Sequence, residues 1–436
     1  MNITLAIHEQ VSRHWQRLAA IATRGLSQAL GVIPPLLVLH AYGAGGFGLF
    51  SMLIAVSGLS ILFEWGLPQK LQNEVSRGAG EARYDLLWLL GKGRFPLHLA
   101  VNLALGWLLW KVSSRWLGSV FPAPMAEALS QQRHAMLGIF LIAAATGAMY
   151  HARSVVFGLG HIDRGFAFTL AGTAVMVTLV LAASHAGAPI EAVALLAAAA
   201  PLLERAIGSV YCFARSEPLA RHPDMPQPLQ GHPAESSRSV AFMFFYLQVL
   251  ALLASNLDTL YAGRANSLQA VGEYAFLLKL FGIPLLIVSI FNPSMLPRLA
   301  VEAHGAGDRG RHTMRSLLRS NVLIMAALGG VIVLAAGSVY RLMAGVDADL
   351  HVLSLLLLLD MTVLALRGVL TTFVNAAEVI WLNIAGNTLF AAGAILLKVL
   401  FVDAWGVRGL VIANTAAYLL LLLPFHAAAV VKVQRR

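Results

Sequence analysis

Residues 214–238 read "ARSEPLARHPDMPQPLQGHPAESSR". The stretch is rich in proline and polar residues and shows no apolar periodicity, so it reads as a linker. On both sides of it the chain is dominated by long apolar runs. The linker therefore divides the sequence into an N-terminal lobe over 1–213, the linker itself over 214–238, and a C-terminal lobe over 239–436.

Composition identifies the solvent. Hydrophobic residues make up 58% of the 436 and charged residues 12%, about half the charged share of an ordinary soluble domain. So few charges cannot cover a water-facing surface of this size, and the medium is mostly lipid. A bilayer-crossing helix needs about 20 predominantly apolar residues. Twelve segments qualify: near 18–41, 47–67, 94–116, 135–157, 165–186 and 191–213 before the linker, and near 239–262, 271–295, 318–339, 350–373, 381–402 and 407–430 after it. The expected fold class is an all-α integral membrane protein of about twelve transmembrane helices, in two six-helix lobes around a central cleft.

The net charge of +10 follows from topology and requires no nucleic acid. Lys111, Arg115, Arg133, Arg264, Arg341 and Arg408 lie in loops after odd-numbered spans. Arg24, Arg153, Arg205, Lys279, Arg367 and Lys398 lie inside spans. The remaining Lys and Arg fall in the tails, the linker and the loops after even-numbered spans, which places both termini and the linker in the cytoplasm. Trp107, Trp110, Trp116 and Trp405 sit near the outer ends of spans, as interfacial anchors do. Residues 1–17 are polar and mixed and the first apolar stretch is long enough to span, so no secretory signal is expected. The lone Cys212 reads as a small apolar residue.

Each half repeats the other's phrasing. "SRGAGEARYDLL" (76–87) is answered by "AHGAGDRGRHTM" (303–314), each after the second span of its half. "GFGLF" (46–50) is answered by "GEYAF" (272–276), Leu67-Pro68 by Leu296-Pro297, and "LAGT" (170–173) by "IAGN" (384–387). Matches in the same order point to duplication. An even number of spans per half makes the two copies a parallel internal repeat about an axis along the membrane normal.

Charges within spans cost roughly 2.5–3.5 kcal/mol each on insertion scales. Besides the six basic residues they include Glu64, Glu204, Asp258 and Asp360. Glu204, Arg205 and Arg153 lie near a cytoplasmic end, where snorkelling is the simple reading. Lys398 lies near the outer end of span eleven, and the same reading sends it to the interface. Asp360 and Arg367 are seven apart on span ten, hence on one helical face, which suits an ion pair across neighbouring helices or a substrate contact. Arg24, Lys279, and Asp258 with Asn256 lie deeper. Pro34-Pro35 is expected to break span one, and Gly282-Ile283-Pro284 to weaken span eight.

Three stretches carry a family resemblance: "RGLSQALGVIPPLL" (24–37), "GGFGLFSMLIAVSGLSILFEWGL" (45–67) and "SNLDTLYAGRANSLQAVGEYAF" (255–276). The chain resembles the Wzx-type polysaccharide flippases of the multidrug/oligosaccharidyl-lipid/polysaccharide (MOP) exporter superfamily over nearly its whole length. The resemblance implies alternating-access flipping of a polyprenyl-pyrophosphate-linked oligosaccharide across the bacterial inner membrane, for surface polysaccharide biosynthesis. It implies no cofactor, membrane lipid as surroundings, and polysaccharide polymerase machinery as a partner. It also implies that spans one, two, seven and eight line the cleft. Arg24, Lys279 and Arg367 then form a cationic, substrate-binding set. Glu64, Asp258, Asn256 and Asp360 are the coupling or pairing candidates, with Glu64 and Asp258 facing those cations or carrying a proton. The lipid II flippases of the superfamily typically carry two further C-terminal spans, and this chain ends at about span twelve.

Three other readings stand beside this one. A proton- or sodium-coupled exporter of small drugs shares the fold. A membrane-embedded polysaccharide polymerase or ligase would place catalytic groups in a large outer loop. The longest such loop, about 117–134, offers little beyond Glu127, Arg133 and His134. A non-transporting scaffold would not need buried charges. "GAGGFG" (43–48) matches a dinucleotide fingerprint by letter only, since it falls between two spans rather than between a strand and a helix. No phosphate-binding loop for ATP and no metal-ligand cluster is present in the sequence.

Overall fold

The computed structural model describes residues 3–76, 94–159, 161–213, 237–265, 267–294, 309–376 and 380–434. Most of the linker and most of the paired Gly-Ala-Gly phrases lie outside these residues, as does Leu296-Pro297.

Among the described residues every regular element is helical. Nine stretches are long and apolar enough to cross a membrane, and two of them, Ala22–Glu64 with 43 residues and Ile384–Lys432 with 49, exceed what one crossing needs. Each contains a glycine in left-handed conformation that interrupts helical geometry, Gly43 with φ 69° and Gly406 with φ 60°. A residue with a Cβ adopts such angles only at a cost, so these glycines separate spans one from two and eleven from twelve. A further segment combines Ser237–Ala251, a π-turn over Leu252–Asn256 and Asp258–Ala262. The chain is an all-α, multi-pass membrane protein.

The break expected at Pro34-Pro35 is not formed. The helix Ile3–Ser57 continues through Pro34-Pro35 and departs from helical angles at Gly43 instead. The helix Leu268–Ser294 likewise runs unbroken through Gly282-Ile283-Pro284. A transmembrane helix tolerates the lost hydrogen bond where neighbouring groups satisfy the freed carbonyl. Span two closes earlier than expected. It tightens into a 3₁₀ turn over Gly58–Glu64, and Pro68 lies in the first turn of the next helix, Leu67–Ser76, a position proline suits.

The chain folds into two compact units. One comprises Met1–Pro34, Val56–Trp116 and Gln132–Val249, and the other Pro35–Ala55, Leu117–Gln131 and Leu250–Arg436. Residues 35–55 and 117–131, from the first half of the sequence, thus belong to the second unit.

The first unit is organised around the end of the 3₁₀ turn. Trp65 takes φ 56°, the one positive φ among described non-glycine residues. Such a conformation is strained for a bulky residue. Asn102, fully buried, holds it. The Trp65 indole donates to Asn102 Oδ1 at 2.9 Å, and Asn102 Nδ2 donates to the Phe63 carbonyl at 2.9 Å. Phe245 stacks on the indole at 5.6 Å. Phe63 packs with Ala143 and Ala144 beneath.

The second unit contains a close helix crossing. A Cβ added at Gly48 would fall on the Leu268 carbonyl and lie 3.2 Å from the Gly272 nitrogen. One added at Gly272 would run into the Ala44 carbonyl. Small residues let helix backbones touch in this way. The glycines belong to "GFGLF" and "GEYAF", so two motifs that match in sequence meet in space.

Outward-facing residues complete the membrane reading. On the helix Arg309–Ala344, Leu334 is 83% exposed and Leu342 78%. A stripe of bare leucines suits lipid rather than water. Trp107 is exposed beneath the Lys111 ammonium, and Trp405 is exposed as well, in keeping with interfacial anchors.

Candidate functional site

The sequence-predicted site residues separate by unit. Arg24 and Glu64 belong to the first, and Lys279, Arg367, Asp258, Asn256 and Asp360 to the second.

In the first unit the charges form pairs. Glu64 is 7% exposed at the end of the 3₁₀ turn, and its carboxylate takes a hydrogen bond from the Arg205 guanidinium. Arg205 also donates to the Thr146 carbonyl. Arg153 donates to Glu204 at 2.9 Å. These findings correct two expectations: Glu64 pairs with Arg205 rather than with Arg24 or Lys279, and Arg205 turns inward instead of snorkelling. A buried carboxylate beside a broken helix end requires a counter-charge nearby, and Arg205 lies on the helix Ala200–Phe213 at that depth. Arg24 sits half-buried with its guanidinium 5.3 Å from the Phe166 ring, and Ser27, one turn on, bonds Thr173 at 3.1 Å.

Removing one partner of a buried pair costs about 3–5 kcal/mol because the other charge is left uncompensated. Glu64→Gln is therefore expected to lower the melting temperature in detergent sharply. Arg205→Met in the same background should recover much of the loss. A Glu64→Gln variant as stable as the parent would show the pair to be dispensable.

The second unit holds a cavity of about 290 Å³ lined by Asn256, Asp258, Asp360, Arg367, Asn414 and Tyr418, among others. Four of the sequence-predicted residues thus share one space. Asp360, 7% exposed, accepts a hydrogen bond from the Thr415 hydroxyl at 3.0 Å. Arg367 donates to Asn387 Oδ1 at 3.0 Å and packs over the Phe390 ring at 4.6 Å. Of the two readings for Asp360 and Arg367, the ion pair across neighbouring helices is not formed among the described residues; each side chain is hydrogen-bonded to a different neighbouring span. Two turns of helix put them on one face, but each side chain follows the partner opposite it.

Asp258 pairs with Lys398, not with Arg24 or Lys279. The Lys398 side chain is fully buried, and its ammonium bonds the Asp258 carboxylate and the Ala254 carbonyl. The expectation that Lys398 reaches the interface is thereby overturned. Asn414 donates to the other Asp258 oxygen at 2.7 Å. Sequence reasoning missed Asn414, Thr415 and Tyr418, which are uncharged and stand out in no motif, and it read Asn387 only as part of the repeated "IAGN". Lys398 carried a signal: it and Asp258 both fall in the outer halves of their spans.

Lys279 differs from these buried charges. It is exposed on the helix Leu268–Ser294, and no ion pair or hydrogen bond to it is found among the described residues. It lies about 16 Å from the nearer helix end at 1.5 Å per residue, too far for its stem to reach an interface by snorkelling.

No family model matches the chain, and no curated protein matches it. Solved structures do. The lipid II flippase MurJ in an inward closed conformation aligns over 95% of this chain and 87% of its own, with TM-score 0.63 and 10% identity. An inward-facing multidrug resistance MATE family transporter of the MOP superfamily aligns over 96% and 99%, with TM-score 0.60 and 12% identity. A MATE transporter of Vibrio cholerae aligns over 97% and 94%, with TM-score 0.58 and 14% identity. At these identities the likeness establishes the fold alone, one that this chain shares with those structures.

Proposed function

We propose that the chain is a flippase that moves a polyprenyl-pyrophosphate-linked oligosaccharide across the bacterial inner membrane by alternating access, with both termini cytoplasmic. The observation that carries the reading is Lys279. An ammonium in mid-span, exposed and without a partner among the described residues, costs about 2.5–3.5 kcal/mol in hydrocarbon. That cost is offset when an anionic group of the substrate binds there. Arg367, in the same unit, supplies a further cationic contact, with the forked donors that suit phosphate oxygens. The fold it shares with a lipid II flippase and with MATE transporters supports transport. A drug exporter is disfavoured by the sign of the charge, since an exposed cation repels cationic cargo.

Proteoliposomes carrying the purified chain decide between the two. A fluorescent polyprenyl-pyrophosphate disaccharide should become accessible in the opposite leaflet, and a cationic dye should not be moved. Dye movement without lipid flipping would overturn the proposal.

The orientation has its own test. In a Cys212→Ser background, single cysteines at positions 79 and 306 should resist a membrane-impermeant thiol reagent in intact cells. A cysteine at 266 should label. Labelling at 79 and 306 from outside would reject the parallel arrangement.

A further inference from the structure

The Lys398 ammonium lies in surroundings built from the ligands of a small monovalent cation. Its first oxygen is the Asp258 carboxylate and its second the Ala254 carbonyl. The Tyr261 ring lies 5.3 Å from the nitrogen, presenting the face that attracts cations. Ammonium has three N–H groups, and these three surfaces satisfy it.

The carbonyl lies within a change of helix geometry. Leu252–Asn256 forms a π-turn, and Leu257 N–H bonds the Leu252 carbonyl at 3.2 Å, five residues back. The α-helical ladder is shifted by one residue, and a fresh helix starts at Asp258. Turns of this kind concentrate at functional sites. A second π-turn, Tyr418–Leu422, follows Asn414 and Thr415 on the facing span. Both carboxylate oxygens of Asp258 are engaged, one by Lys398 and the other by Asn414. Asp360, on the same cavity, accepts from the Thr415 hydroxyl.

A backbone carbonyl at a helix irregularity, set beside a carboxylate, is the kind of oxygen pair that coordinates sodium within membrane helices. Here a side chain of the same charge sits there. We propose that Lys398 is a built-in monovalent cation: it fills a site that sodium would otherwise take, and it makes Asp258 unavailable to diffusible cations. The inference does not depend on which substrate the chain carries.

Thermal unfolding of the detergent-purified chain in sodium, potassium and choline chloride of equal ionic strength tests this. Wild-type protein should melt within ~1 °C in all three salts, since nothing diffusible binds. Lys398→Ala should melt lower in choline and gain about 3 °C or more from sodium or methylammonium chloride. That gain should vanish in Asp258→Asn/Lys398→Ala. A Lys398→Ala variant indifferent to all the cations would overturn the proposal. So would wild-type protein stabilised by sodium with the effect lost in Asp258→Asn. If Lys398→Ala does not accumulate, the wild-type measurement decides: indifference to sodium upholds the built-in cation, and stabilisation that Asp258→Asn removes rejects it. A loss of lipid flipping with an intact salt profile would sink the flippase reading and leave this one standing.

Discussion

Lys279→Gln should reach the membrane at the parental level and flip lipid-linked oligosaccharide at a tenth of the parental rate or less. A charge-assisted hydrogen bond contributes about 1.5–3 kcal/mol, and each 1.4 kcal/mol is a factor of about ten. Folding should be spared, because among the described residues Lys279 contacts no partner whose charge would be left behind. Neutralisation is even expected to ease insertion, since the ammonium costs about 2.5–3.5 kcal/mol in hydrocarbon. Lys279→Arg should retain more activity than Lys279→Gln, because positive charge at that depth matters more than side-chain shape. The measurement is leaflet accessibility of the labelled pyrophosphate lipid in proteoliposomes, normalised to protein content. A Lys279→Gln chain that flips at the parental rate would remove the cation from the mechanism.

Gly272→Leu should fail at an earlier stage. The side chain would have to displace the Ala44 carbonyl, which belongs to helix backbone and cannot swing away. Gly48→Leu meets the Leu268 carbonyl in the same manner. Overpacking a well-packed core costs about 1–3 kcal/mol where side chains can adjust, and more where backbone opposes backbone. Both variants are expected to accumulate poorly and to aggregate on extraction, with the crossing of the two helices lost. Gly25→Leu is the matched control, because nothing lies within 4 Å of a Cβ there. It should fold normally. If Gly272→Leu instead accumulates and transports like the parent, the two helices do not cross as described.

The two variants fail for opposite reasons. Lys279 is exposed, and on the proposed function its replacement lowers transport without harming the fold. Gly272 is buried and its replacement is felt before any substrate arrives. Expression level and flipping rate measured together separate the two effects.

What the sequence determined by itself was whatever depends on local composition and length. Apolar runs of about 20 residues must be helical in lipid, because a spanning segment has to satisfy its own backbone. The all-α membrane fold was therefore legible without any contact being known. The glycines at 43 and 406 were visible as letters, and the absence of a Cβ permits their left-handed geometry without fixing it. The gathering of Asn256, Asp258, Asp360 and Arg367 on one cavity was partly legible, since charged groups in spans must face something other than lipid.

Partners were decided only by tertiary structure. Asp258 finds Lys398 across 140 positions, and Glu64 finds Arg205 across 141. A buried charge takes the nearest opposite charge or open carbonyl in space, and no one-dimensional spacing encodes that distance. The same holds for the prolines. Whether Pro34-Pro35 breaks its helix depends on what neighbouring spans offer the freed carbonyls, and here the helix continues to Gly43. Helix formation is set by interactions within one segment. Pairing and kinking are set by what lies opposite, which only the folded chain supplies.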